Sequence, residues 1–194
     1  MFEAFIGLMS FAIATGLLYG RFSKPITRIA FSKNIIITPF EDEMALMFKI
    51  VNLRKDVLLN TKVKTIFIID KGGGNTNQFN KDYFELTLES DNVYFFPLTW
   101  TLVHKINKDS PLFGLSVEEL KSKNTELVVL IETFDETYRQ MVLQKHSYAQ
   151  EQWKDRVKFA SNFATNDEGQ IELYVNEIDK LIEWYNSHKE KIHP

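Results

Sequence analysis

Two hydrophobic patterns succeed one another along this chain. From Ala4 to Gly20 no side chain carries a charge. At about 1.5 Å of helical rise per residue, that run comes close to the roughly 30 Å hydrocarbon core of a bilayer. After Arg21 the apolar residues fall into short stretches separated by polar turns, the pattern of β-strands. Phe31 to Thr38 reads as a first strand ended by Pro39. Ala45 to Val51 reads as a second. From Leu59 to Asp70 the alternation puts Lys62 and Lys64 on one side and Thr61, Val63 and Thr65 on the other. Tyr83 to Leu88, Tyr94 to Val103 (with Pro97 at an edge or bulge), Glu126 to Glu132, Gln140 to Tyr148 and Ile171 to Val175 complete the set. Ser116-Val117-Glu118-Glu119 is a capping box that opens a short helix. Asn176 is a cap for a final helix with Ile178, Leu181, Ile182 and Tyr185 on one face. Many short strands with few helices predict a mainly β protein, a β-sandwich.

The N-terminal run admits three readings. A signal peptide wants positive charge before its apolar stretch, and here Glu3 is the early charge while Arg21, Lys24, Arg28 and Lys33 follow. A buried core helix carries a polar face, which this segment lacks. A transmembrane helix fits best, and the positive-inside rule then puts the residues after Arg21 in the cytoplasm. Gly16 and Gly20 form a GxxxG pair suited to close helix packing. Gly7 is a point of weakness where the helix can bend.

Composition narrows the function classes. A formal net charge of −3 argues against a nucleic-acid binder. The absence of cysteine excludes disulfides and thiolate chemistry. Lys71-Gly72-Gly73-Gly74-Asn75 is a turn, without the Gly-Lys-Ser/Thr ending of a phosphate-binding loop. His104, His146, His188 and His193 form no ligand-spaced pair, and His104 reads as a structural histidine. Asp135 and Glu136, adjacent on a strand, point to opposite faces. No feature supports an enzyme or a resident cofactor.

An ordered set of segments carries a family resemblance: GRFSKP, FSKN, LMFKIVNLRK, WTLVHKINKDSPLFGLS, ELVVLIE and DETYRQMVLQKHSY. Together they resemble the inward-rectifier potassium channels, particularly the bacterial branch, over almost the whole chain. The resemblance implies residues 1–24 as the pore-lining inner helix. It implies residues 25–194 as a cytoplasmic, immunoglobulin-like β-sandwich ending in a short helix. It also implies a homotetramer whose permeant ion is potassium. The family's slide helix, first transmembrane helix, pore helix and TxGYG-type filter have no counterpart in these residues, which implies a C-terminal part of a channel.

Roles follow by position. Gly7 matches a hinge of the inner helix. Tyr19 falls at the bundle crossing as a gate, with an interfacial aromatic anchor as the rival role. Arg21 and Lys24, with Arg28, match positions that meet anionic phospholipids, although plain topology signals explain the same charges. Arg54, in the NxR stretch, is expected to be paired near a subunit interface. Glu132 matches a cation-attracting carboxylate of the cytoplasmic pore, with an ordinary strand-end carboxylate as the alternative. Thr133 to Val142 matches the constriction loop, with Phe134 and Met141 as its apolar gate residues. Two acidic family positions are Phe11 and Asn60 here, so weak block by magnesium or polyamines is expected. The competing readings are a membrane-anchored binding module without conduction and a secreted sandwich with a cleaved leader.

Overall fold

The computed structural model describes residues 2–22, 28–54, 56–70, 81–96, 98–166, 169 and 171–184. Helix α1, Phe2–Phe22, is exposed from Phe2 to Arg21. Its Phe2–Arg21 stretch is long and apolar enough to cross a membrane. A Cβ added at Gly7, Gly16 or Gly20 would meet nothing within 4 Å, so no other described part of this chain packs there.

Two five-stranded sheets follow. The first holds β1 (Ile29–Phe31), β2 (Ile35–Phe40), β3 (Glu43–Asn52), β7 (Thr99–Ile106) and β10 (Trp153–Asp155). The second holds β4 (Leu58–Asp70), β5 (Lys81–Leu86), β6 (Asn92–Phe96), β8 (Glu126–Asp135) and β9 (Gln140–Tyr148). Alternating side chains of the two sheets meet in one core. Ile35, Leu46, Phe48 and Trp153 come from the first sheet, and Phe67, Val129, Ile131 and Tyr148 from the second. The Trp153 indole stands edge-on to Phe67 at 6.0 Å between ring centroids. The capping box at Ser116 is formed as expected, and it starts α2 (Val117–Ser122), which buries Val117 and Leu120 in the same core. The fold is a β-sandwich behind one apolar helix.

Four local expectations are corrected. Pro39 does not end its strand: β2 runs through it to Phe40, and Pro39 faces Met44 of β3. On its other side β2 is paired by β10 only over Ile35, Ile36 and Ile37, so the missing N–H of Pro39 falls on a free edge. The stretch from Tyr94 to Val103 is two strands. β6 pairs with β4 in the second sheet, and β7 pairs with β3 in the first. Pro97, between them, lies outside the described residues, as do Lys71 to Asn75.

The final helix is absent from the described residues. Val175–Glu177 is a 3₁₀ turn, and β14 (Leu181–Glu183) pairs with β11 (Val157–Phe159). Ile178 is buried, and Leu181 packs on the outer face of the first sheet. A two-turn helix is marginal by itself, so the strand pairing and this burial override the helical spacing. Tyr185 lies outside the described residues. Finally, Thr133 to Val142 is a hairpin and not a loop: β8 runs to Asp135, four turn residues follow, and β9 starts at Gln140. Two further strands, β12 (Phe163–Thr165) and β13 (Ile171–Leu173), pair with each other.

His104 is structural, as read. Its Nδ1–H donates to the Thr87 carbonyl at 2.7 Å, and its Nε2 accepts from the Ser110 hydroxyl at 2.8 Å. Burial lowers its pKa, partly offset by the bond to Thr87. Burial lowers that of His146 too. The unfolded chain therefore binds protons more readily at both sites. Their contribution is intact above the unfolded value near 6.5 and is lost as pH falls through it. The urea midpoint of the full chain in detergent should fall on acidification through that value, and His104→Gln should flatten part of the fall.

Candidate functional site

The second sheet turns one face to the core and the other outward, and the residues singled out on β8 and β9 share the outward face. Along β8, Leu127, Val129, Ile131, Thr133 and Asp135 are buried while Glu132 is exposed. Glu132 stands opposite Lys62 of β4 on one side and Leu143 of β9 on the other. Two residues on, Phe134 stands directly opposite Met141. Lys62 and Lys64, Glu132, Phe134, Met141 and Leu143 thus lie on one surface. Leu143 is 70% exposed on it, a large apolar side chain that a monomer leaves in water.

Asn60 has its own geometry. The register between β4 and β8 slips between Leu59 and Lys62, and Asn60 sits in the slip with φ 48°. This is the left-handed region, which asparagine tolerates better than most residues. The Thr133 hydroxyl donates to the Leu59 carbonyl at 3.1 Å and accepts from the Thr61 hydroxyl at 2.8 Å. That buried pair pins the bulge, so the irregularity is built in.

A second cluster anchors the hairpin turn. The Asp135 side chain is 1% exposed and pairs with the Arg54 guanidinium, itself largely covered. Arg54 also donates to Thr137 Oγ1 at 3.1 Å and lies 3.6 Å from the Asp56 carboxylate. The other Asp135 oxygen accepts from the backbone N–H groups of Thr137 (3.0 Å) and Tyr138 (3.2 Å). Asn52 Oδ1 accepts from the backbone N–H of Arg54 and fixes the start of its loop. The ion pair therefore ties the loop after β3 to the turn that presents Phe134 and Met141. The expected pairing of Arg54 is real within the chain. Its partner, 81 residues away, left no mark in the local sequence.

The remaining residues are not gathered here. Gly7, Tyr19 and Arg21 lie on α1. Arg28 is exposed just before β1, and its carbonyl accepts from Leu53 N–H at 2.8 Å. Lys24 lies outside the described residues, as do His188 and His193. Among the described residues no cluster of three or more histidines and carboxylates could hold a metal ion. What the outward face offers is electrostatic: an exposed carboxylate beside Lys62, with Met141 and Leu143 exposed near it, on a paired sheet.

Comparison with known proteins identifies the family of the domain. The model of the inward rectifier potassium channel C-terminal domain matches residues 29–191. The inward rectifier potassium channel Kirbac3.1 of Paramagnetospirillum magnetotacticum is 27% identical over 179 residues, which cover 92% of this chain and 60% of the relative. The chain thus spans about three fifths of the length of that curated relative. Among solved structures, the ligand binding region of SgrA of Enterococcus faecium aligns with a TM-score of 0.30. It has 14% identity and covers 66% of this chain and 96% of that one. AvmM, which catalyses macrocyclization in alchivemycin A biosynthesis, aligns with a TM-score of 0.31 and 11% identity, over 65% and 95%. Likeness at that level carries nothing about function. With five sixths of its length matched by the family's domain, the chain belongs to the inward rectifier potassium channels through their C-terminal domain.

Proposed function

We propose that four copies of this chain surround a water-filled axis and form the gated cytoplasmic end of a potassium pathway. The outward face of the second sheet lines that axis. Glu132 raises the local cation concentration there, because a ring of carboxylates beside low-dielectric walls focuses its field. Phe134 and Met141 narrow the path at the hairpin. In the membrane, α1 lines the upper wall, bends at Gly7 and closes at Tyr19. Arg21, Lys24 and Arg28 meet anionic phospholipid headgroups on the cytoplasmic side. With Phe11 and Asn60 in place of carboxylates, magnesium and polyamines block weakly.

The single observation that carries this reading is Glu132: exposed on a strand paired on both sides, between Lys62 and Leu143, with Phe134 and Met141 two residues on. A monomer in mild detergent, with Glu132 buried in a pair within one chain, would favour the anchored-module alternative; within one chain Glu132 is exposed.

The test is potassium flux from liposomes holding the full-length polypeptide that carries this sequence, with the anionic lipid fraction varied. Each basic group near an anionic leaflet is worth about 1 kcal/mol. Neutralising Arg21, Lys24 and Arg28 together should therefore weaken the lipid dependence by about two orders of magnitude in lipid affinity. Absence of potassium flux at every lipid composition would overturn the reading.

A further inference from the structure

The outer face of the first sheet is only partly covered. Ile36, Ala45, Met47 and Val103 form a small second core there, roofed by Phe40, Val157, Phe159 and Leu181. Beside it, between the sheet and residues 158–163, lies a cleft of about 600 Å³. Clefts of roughly 300–1,000 Å³ are the size that holds small organic ligands. The floor is apolar, formed by Ile36, Met47 and Val103, and the wall opposite carries Phe159 and Phe163.

One end of this apolar cleft is cationic. Lys49 lines it and is 6% exposed. Its Nζ donates to the Ala160 carbonyl at 2.7 Å and to Asn162 Oδ1 at 3.2 Å, and lies 5.3 Å from the Phe159 ring centroid. An ammonium has three N–H donors, so one remains. No carboxylate among the described residues pairs with it, and burial alone lowers its pKa. Next to it the Asn162 amide Nδ2 is buried without an acceptor. Among the described residues the Lys49 ammonium thus lacks an anion, a costly arrangement in an apolar setting.

The other end is neutral and polar. Thr38, 1% exposed, lines the cleft with an Oγ1 that has no hydrogen-bond partner. Thr38 faces Ala45 across the hairpin, and Lys49 lies four residues further along β3. At about 3.3 Å per strand residue the two ends are roughly 13 Å apart. Glu89, at the rim, is matched by Lys105 at 3.2 Å, while Lys158 adds a second cation to the lining.

We propose that this cleft is a binding site for a small amphipathic monocarboxylate. The carboxylate accepts from the remaining N–H of Lys49 Nζ, which Ala160 and Asn162 hold at that end of the cleft. The apolar body lies along Ile36, Met47 and Val103 and reaches toward Thr38. Bound there, the ligand holds residues 158–163 against the first sheet. The site is on the opposite sheet from Glu132 and does not depend on the pore.

The methionines provide the test. Met47 floors the cleft, Met141 lies on the other sheet, and Met9 lies on α1, where it reports uptake of a probe by detergent. The full chain in detergent, labelled with carbon-13 at its methionine methyls, is titrated with phenylbutyrate and, separately, with phenylbutanol. A saturable shift of Met47 is expected with the acid. The alcohol should bind about tenfold or more weakly, the worth of a charge-assisted hydrogen bond. Lys49→Gln should lose a similar factor for the acid. Should that variant fail to fold, the comparison of acid with alcohol on the unaltered chain decides alone. Equal Met47 shifts from both probes would reveal a merely apolar groove, and no Met47 shift with the acid would mean no site. Either result overturns the proposal.

Discussion

Replacing Arg54 by alanine should destabilise the domain by about 3–5 kcal/mol, the usual cost of leaving a buried charge without its partner. The charge left behind is Asp135, 1% exposed and still bound to two backbone N–H groups of the hairpin turn. Those bonds hold the turn in shape and keep the carboxylate from escaping to water. An exposed ion pair would cost only about 0–1 kcal/mol, so the measured size separates the two cases. Removing both charges while keeping the Oδ1 acceptor for the turn, as in Arg54→Met with Asp135→Asn, should cost less than Arg54→Ala alone, because neither an ion nor the Thr137 and Tyr138 N–H groups are then stranded. The urea midpoint of the full chain in detergent checks this. A loss under about 1 kcal/mol for Arg54→Ala would mean that solvent reaches the pair. The same cluster joins the loop after β3 to the turn carrying Phe134 and Met141, so Arg54→Ala should also disturb whatever those residues control.

The second large effect is on charge in the proposed pore. Reversing Glu132 to lysine in the full-length channel places cations around the axis where carboxylates had been, next to Lys62, which already faces that position. Single-channel potassium conductance at low ionic strength should fall about tenfold, the lower end of what focused fields achieve. Salt identifies the cause. Screening shortens from about 30 Å at 0.01 M to about 3 Å at 1 M, so the deficit should shrink as salt rises. Lys62→Gln should act in the opposite direction and raise conductance at low salt. Restoring carboxylates with Phe11→Asp and Asn60→Asp should strengthen polyamine block; aspartate, like asparagine, tolerates the left-handed backbone at position 60. An unchanged low-salt conductance in Glu132→Lys would remove Glu132 from the ion pathway.

The strands were legible wherever one face is wet and the other dry. β4 shows it best: Lys62 and Lys64 against Thr61, Val63 and Thr65 is a period of two that the structure reproduces. β9 and the capping box at Ser116 were legible for similarly local reasons. The misreadings share a different cause. Whether the chain continues past Pro39, crosses between sheets near Pro97, or pairs at Leu181 rather than coiling depends on which strand lies alongside, and no local pattern records that. The partner of Arg54 was hidden in the same way. So was the left-handed turn at Asn60, which exists because Thr61 and Thr133 meet across two strands. Lys49 gave no signal at all, since in sequence it is one more lysine inside an apolar strand. The outward face holding Glu132, Phe134 and Met141 was reached through the resemblance, and only the hairpin register brings the three onto one surface.

The proposed arrangement of four outward faces around one axis is open to a direct distance measurement. The chain has no cysteine, so Leu143→Cys, opposite Glu132 on the same face, gives one spin label per subunit without touching the carboxylate. Pulsed dipolar spectroscopy on the full-length polypeptide in liposomes should return two distances, the side and diagonal of a square, in a ratio of about 1.4. A single distance, or no dipolar coupling between subunits, would contradict a fourfold pathway lined by this sheet.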